Sequence, residues 1–228
     1  MKRFANKGML TFILVFLSLI STAQNKEMSV TYLGNCGFLL SCDSLHVCID
    51  FPYKSGSYGY MTFPSSTLDS IPDHSIYLFT HGHADHYDKT LFKGKNAKLY
   101  APWPVRWFVS GKRKYSLKTL NHLSADFFVT QYRTKHRLSL KHYSYLIEWN
   151  GKRIFISGDA TSADVISQIK NLDLVIAPTW LLHDASGKNI SIDTKKVILS
   201  HLRSEEKVTN QNPEKIIVPL QHQTFILP

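Results

Sequence analysis

The chain has 228 residues, 43% of them hydrophobic, with 27 lysines and arginines against 17 acidic residues and a formal charge of +10. That is enough apolar material to fill the core of one domain or one large sandwich, which excludes a disordered chain as the starting expectation. The basic balance favours acidic partners only weakly, because the cations are scattered through segments such as GKRK (residues 111–114) that read as solvated faces.

The first 23 residues differ in kind. Lys2, Arg3 and Lys7 precede the twelve-residue apolar run MLTFILVFLSLI, and Ser21-Thr22-Ala23 follows. This is the pattern of a cleaved signal peptide, and the run is short of the roughly 20 residues that span a bilayer. An exported protein, periplasmic or secreted, is expected, with residues 24–228 as one domain and no stable membrane insertion after cleavage. The charge stays positive after Lys2, Arg3 and Lys7 are removed.

Three short apolar runs then follow, MSVTYLG, CGFLLSC and LHVCIDF, separated by turns and rich enough in β-branched residues to read as antiparallel strands. They contain all three cysteines, Cys36, Cys42 and Cys48. An oxidising compartment would permit one disulfide among them, but their spacing suits no compact zinc site, and buried strand thiols are the expectation. A loop rich in Gly, Ser and Tyr (residues 53–70) suggests a flap beside a site. The strand SIYLFT comes next and runs straight into HGHADH.

Further on, AKLYA reads as a strand, a helix is expected near Pro104, and FFVTQYRTKH as a strand entering a loop. Asn150-Gly151 between the runs YSYLIEW and KRIFISGD is a type I′ hairpin signal. In the last third, Thr161 or Ser162 is expected to cap a helix reaching Lys170, LDLVIAP, KKVILSH and KIIVPL to be strands, and residues 203–210 to be weakly helical. Strand runs followed by mixed βα units imply two sheets with helices outside, an α/β (α+β) sandwich.

The chemistry is concentrated in His81-x-His83-x-Asp85-His86. Histidines two apart on an extended segment can converge on one cation while Asp85 and His86 face a second, and zinc takes imidazole nitrogen and carboxylate oxygen at about 2.0–2.2 Å. Any one of the 11 histidines is more often a surface or satisfied core residue. The cluster is not, because metal-capable residues recur at later strand ends: His136 after FFVTQYRTK, Asp159 after RIFISG and His201 after KKVILS.

With Asp50 in CIDFP, the HxHxDH signature, His136, Asp159 in ISGDA and His201 in LSHL, residues 24–228 resemble the metallo-β-lactamase superfamily, in its small lactonase-like branch. The resemblance implies a four-layer αββα sandwich and two divalent metal ions, zinc above all with manganese or iron as alternatives. His81, His83 and His136 would hold one ion, Asp85, His86 and His201 the other, and Asp159 would bridge them. Asp50 would orient the ligand loop from beneath. His142 competes with His136, and His222 with His201; the strand-end position of His136 favours it over His142, and His222, which also follows an apolar strand, lies one βα unit too late for the family pattern.

Two cations sharing a water yield a hydroxide without a protein nucleophile. Asp85 would orient that hydroxide and carry its proton to the leaving group. The implied function is an exported metal-dependent hydrolase of a small ester, lactone or amide. Alternatives are a phosphodiesterase or nuclease-like hydrolase and a non-catalytic metal-binding relative. A small-molecule substrate is expected; with no inserted domain or arm for RNA, nucleic acid is disfavoured. The 53–70 loop, the aromatic segment 102–108 and TWLLHD, with His183, are the expected substrate-facing parts.

Overall fold

The computed structural model describes residues 27–95, 97–206, 208–209 and 212–227; the leader at residues 1–23 lies outside them. One sheet contains β1 (Met28–Gly34), β2 (Gly37–Cys42), β3 (Leu45–Ile49), β4 (Ile76–Leu78), β5 (Lys98–Tyr100) and β12 (Thr224–Leu227), in the order β12-β1-β2-β3-β4-β5. The other contains β6 (Phe127–Thr134), β7 (His142–Trp149), β8 (Lys152–Ile156), β9 (Leu172–Ala177), β10 (Thr194–Leu199) and β11 (Ile216–Ile217), in the order β11-β10-β9-β8-β7-β6. Each sheet begins with an antiparallel meander, β1-β2-β3 or β6-β7-β8, and continues with parallel strands.

Strand periodicity sorts the apolar side chains into three layers, because successive residues point to opposite faces. Ile76 and Leu78 of β4, Ile154 and Ile156 of β8, Tyr145 and Ile147 of β7 and Ile198 of β10 fill the space between the sheets. Their neighbours turn outward. Tyr77 and Leu99 pack with Phe79, Phe92 and Val105 on the outer face of the first sheet, and Phe155, Val175 and Val197 pack with Leu181 and Ala185 on the outer face of the second. The outer layers are completed by short helices: α1 (Ser65–Asp69), α2 (Lys89–Gly94), α3 (Trp103–Arg106) and α5 (Thr179–Gly187). A further short helix, α4 (Leu117–Leu120), places Leu120 in the inter-sheet layer. The result is the expected αββα sandwich.

Local sequence chemistry explains several boundaries. Asp88 caps α2 by accepting from the backbone N–H groups of Thr90 and Leu91 at 2.7 and 3.0 Å. Asn150 and Gly151 both have positive φ, 48° and 73°, as a type I′ turn between β7 and β8 requires.

Two expectations are corrected. The helix expected to reach Lys170 from Thr161 or Ser162 is only a 3₁₀ turn at Ile166–Gln168, because the apolar residues Ala163, Ile166 and Ile169 need only one face against the second sheet. The 203–210 segment has turns and no helix among its described residues. Conversely, TWLLHD belongs to α5, and TFIL is the edge strand β12, which pairs antiparallel with β1 across almost the whole chain.

Candidate metal centre

Both sheets end their parallel strands at one edge, where loops carry side chains clear of the strand hydrogen bonds. β3 ends in Asp50, β4 in Thr80-His81, β8 in Gly158-Asp159 and β10 in Ser200-His201. The two sheets are tied together there: the Tyr143 N–H donates to Thr80 O at 2.9 Å and the Tyr145 hydroxyl to Phe79 O at 2.8 Å.

Asp50 anchors the HxHxDH loop. It is 1% exposed and adopts a left-handed φ of 45°. Its carboxylate accepts from Thr80 N and Thr80 Oγ1, both at 2.7 Å, and from His86 Nδ1 at 2.9 Å. The Thr80 hydroxyl, having given its proton to Asp50, accepts from His81 Nδ1 at 3.1 Å. Both imidazoles thereby use Nδ1 as a donor, which leaves Nε2 as the ligating atom whenever that nitrogen carries no proton. Neither Nε2 has a hydrogen-bond partner, although both are buried.

Two groups of donors result. His81, His83 and His136 bring one ligand atom each within 4.8 Å of one another, with His136 Nε2 3.1 Å from His83 Nδ1. On the other side, His201 Nε2 lies 3.1 Å from Asp85 Oδ2 and 3.2 Å from Asp159 Oδ2, and His86 Nε2 lies 3.1 Å from Asp159 Oδ1. Asp159 reaches both groups, because its Oδ2 is also 3.6 Å from His136 Nε2 and 3.9 Å from His81 Nε2.

The electrostatics differ between the groups. Burial, reinforced by His86, His142 and His136, pushes His81 well below the usual histidine range, and burial with His83 and His86 lowers His136, Asp159 opposing in both. These are neutral imidazoles, the form that binds a metal. Burial alone would also lower His86, but Asp159, Cys36 and Asp50 outweigh it and raise His86 well above that range. His201 is raised likewise, by Cys36, Asp159 and Asp85 against its burial. Burial would raise Asp159 and Asp85, yet His86 and His201 hold both carboxylates down. The buried negative charge on this side calls for a cation, either a proton on each imidazole or a metal that replaces it.

The residues fit divalent ions. His81 Nε2, His86 Nε2, His201 Nε2, Asp85 Oδ1 and Asp159 Oδ1 are all buried and without a hydrogen-bond partner, at one edge, and buried polar atoms left in this way are rare. All seven residues singled out as ligands in the sequence are brought together here.

His142 stands apart from both groups, with both ring nitrogens used. Nε2 accepts from the Asp159 N–H at 2.9 Å and Nδ1 bonds to Thr134 Oγ1 at 2.7 Å. Burial, with smaller contributions from His86, His136 and His83, pushes it down to about 3, so it stays neutral and holds the Asp159 backbone. Gly158, at φ 53°, makes room: a Cβ there would lie 2.7 Å from His142 Nε2 and 2.8 Å from Thr80 Cβ. His222 is exposed and contributes its backbone N–H to Tyr32 O beside β12. His183 is exposed on α5.

A cavity of about 580 Å³ opens over the donors. Tyr58 and Tyr60, from the 53–70 loop, and Trp180, from TWLLHD, line it with Leu138 and Arg137. Tyr60 and Trp180 pack edge-on against the His201 ring at 4.1 and 4.8 Å. Trp103, Trp107 and Phe108 are exposed and do not line this cavity. Sequence reading missed Cys36, whose sulfur lies with His86, Asp159 and His201. No sequence signal pointed to it, because its spacing to those residues fits no metal motif.

No family model and no curated protein matches the chain. Solved structures do. Igni18, a metallo hydrolase from the archaeon Ignicoccus hospitalis, superimposes with a TM-score of 0.68 at 15% identity, covering 89% of this chain and 99% of its own. An isothiocyanate hydrolase from Delia radicum gut bacteria gives 0.65 at 15% identity over 87% and 98%. The metallo-β-lactamase fold protein YhfI from Bacillus subtilis gives 0.59 at 15% identity over 88% and 99%. The chain has the metallo-β-lactamase fold.

Proposed function

We propose that the protein is an exported metal-dependent hydrolase acting on a small ester, lactone or amide. His81, His83 and His136 would hold one divalent ion and His86 and His201 with Asp85 a second, with Asp159 within reach of both groups. The observation that carries this reading is the convergence of five buried, unpartnered nitrogen and oxygen atoms from the HxHxDH loop, β8 and β10. Imidazole and carboxylate donors suit zinc best among common ions. Divalent ions held there supply a water acidified toward neutrality and Lewis acidity for the scissile carbonyl oxygen.

The chain supplies the rest. Asp85 presents a carboxylate oxygen to the cavity, where it can hold a proton and pass it to a leaving group. Asp50 keeps His86 in its ligating tautomer, and His142 fixes Asp159 through its backbone. Tyr58, Tyr60, Trp180 and Leu138 give the cavity apolar walls suited to a ring-bearing substrate. Igni18 and the isothiocyanate hydrolase, both named as hydrolases, share the fold, which supports the reaction class. The leader pattern of residues 1–23 supports export.

One observation favours a second reading, phosphodiester hydrolysis. A cavity of about 410 Å³ adjoins the site at His136 and is lined by Arg133, Lys135, Arg137 and Lys141. A panel of lactones, thioesters, β-lactams and bis-p-nitrophenyl phosphate separates the two readings. Turnover of the carbonyl substrates that His81→Ala abolishes is expected. Turnover of the phosphodiester alone would favour the second reading, and turnover untouched by His81→Ala would remove the site from the chemistry.

A further inference from the structure

Cys36 lies in the turn joining β1 to β2, is 5% exposed and forms no disulfide. The three cysteines have different surroundings. Cys42 belongs to the apolar layer between the sheets and Cys48 to the layer outside the first sheet, where a thiol behaves as a small hydrophobe. Cys36 belongs to none of the three apolar layers. Its neighbours are His86, Asp159 and His201.

We propose that the Cys36 thiolate is a ligand of the cation held by His86 and His201. The inference rests on the reading of this edge as a metal centre, and it makes the two halves of that centre chemically unlike. One half is three imidazole nitrogens; the other adds sulfur to two imidazoles and the shared Asp159 carboxylate.

Three observations carry it. The ligand atoms of Cys36, His86, Asp159 and His201 lie within 4.8 Å of one another. In a tetrahedral zinc site with Zn–S of about 2.3 Å and Zn–N of about 2.0 Å, sulfur and nitrogen stand about 3.5 Å apart, so a small contraction closes the set. Independently, His86 Nε2, His201 Nε2 and Asp159 Oδ1 are buried, unpartnered and directed into the same space, with His86 0% exposed.

The turn itself is tied to both ligand loops. Asn35, at φ 49°, donates from Nδ2 to Asp85 O at 2.7 Å, and its carbonyl accepts from the His201 N–H at 2.8 Å and the Tyr32 hydroxyl at 3.1 Å. Cys36 therefore cannot move independently of the residues it faces.

Asp85 gains a clearer role. Its Oδ2 is 3.1 Å from His201 Nε2 but 3.9 Å from His86 Nε2, and its Oδ1 is unpartnered. With sulfur among the donors, the ion depends less on Asp85, whose unpartnered Oδ1 can then handle a proton at the cavity edge. A thiolate donor also selects zinc, iron or cobalt over magnesium or manganese at this half. Binding converts the Cys36 thiol to thiolate and releases its proton to solvent.

Cobalt(II) tests this without a substrate. The purified, reduced protein is titrated with two equivalents of cobalt, and the near-ultraviolet spectrum is read for thiolate-to-cobalt charge transfer. The expected result is a charge-transfer band that Cys36→Ser loses and Cys42→Ser keeps, with zinc-edge X-ray absorption showing a sulfur neighbour at about 2.3 Å. Two bound cobalt ions without that band, or a band that survives Cys36→Ser, would overturn the assignment and leave the metal-centre reading intact. No cobalt uptake would overturn both. If Cys36→Ser fails to fold, the wild-type band and sulfur distance decide alone.

Discussion

Asp50 touches no part of the cavity, yet it should control metal binding through His86. Its Oδ1 accepts from Thr80 N at 2.7 Å, and its Oδ2 accepts from the Thr80 hydroxyl at 2.7 Å and His86 Nδ1 at 2.9 Å. In Asp50→Asn the oxygen can serve Thr80 N, and the amide nitrogen then faces Thr80 Oγ1 and His86 Nδ1. To avoid a donor–donor clash, His86 must move its proton to Nε2, the atom that faces Asp159. Three charge-assisted bonds of about 1.5–3 kcal/mol each are replaced by neutral ones worth about 1 kcal/mol, a net loss of roughly 1.5–6 kcal/mol. Loss of the ligating tautomer should cost 10–100-fold in affinity for the ion at His86, about 1.4–2.8 kcal/mol. Urea unfolding of chelated protein reads the first quantity and isothermal titration with zinc the second. The trio His81, His83 and His136 should keep its ion. Two zinc equivalents of wild-type affinity in Asp50→Asn would refute the tautomer reasoning.

His136→Ala should remove one zinc equivalent. His142→Leu should retain both equivalents while losing about 1–3 kcal/mol of stability, because the buried Asp159 N–H loses its acceptor; the opposite metal counts would exchange the two histidines' roles. Gly158→Ala combines positive φ with Cβ contacts of 2.7 and 2.8 Å, and should destabilise by about 2–4 kcal/mol, lowering Tm by roughly 5–15 °C. Asp173 is held below the usual carboxylate range: its partial burial opposes this, but Lys195 at 2.7 Å and the Arg153 N–H at 2.8 Å outweigh it. Its contribution is present above the unfolded carboxylate pKa and is lost as pH falls through the lower folded value. The stability gap between wild type and Asp173→Asn, under about 1 kcal/mol for so exposed a pair, should therefore exist at neutral pH and close in acid.

Elements whose signals are local were readable in the sequence. The buried strands announced themselves by apolar alternation, the β7–β8 turn by Asn150-Gly151, and the HxHxDH loop by its crowding at the end of β4. His136, Asp159 and His201 were legible because each follows a strand. What escaped depends on distant partners. Whether His142 faces the donors or braces Asp159 turns on a hydrogen bond to a backbone N–H 17 residues away. TFIL is a strand only because β1 offers it an edge. Cys36 lies in an ordinary turn, and it meets His86, Asp159 and His201 only after both sheets have formed. The 161–170 segment had helix-compatible residues, but its buried Ala163, Ile166 and Ile169 recur every third position, the spacing of a 3₁₀ turn.

The most direct test is the metal content of the purified protein at zinc saturation, read by inductively coupled plasma mass spectrometry. Two equivalents per chain are expected, falling to about one in His136→Ala. Near-zero zinc that added metal does not raise would contradict the reading of this edge as a metal centre.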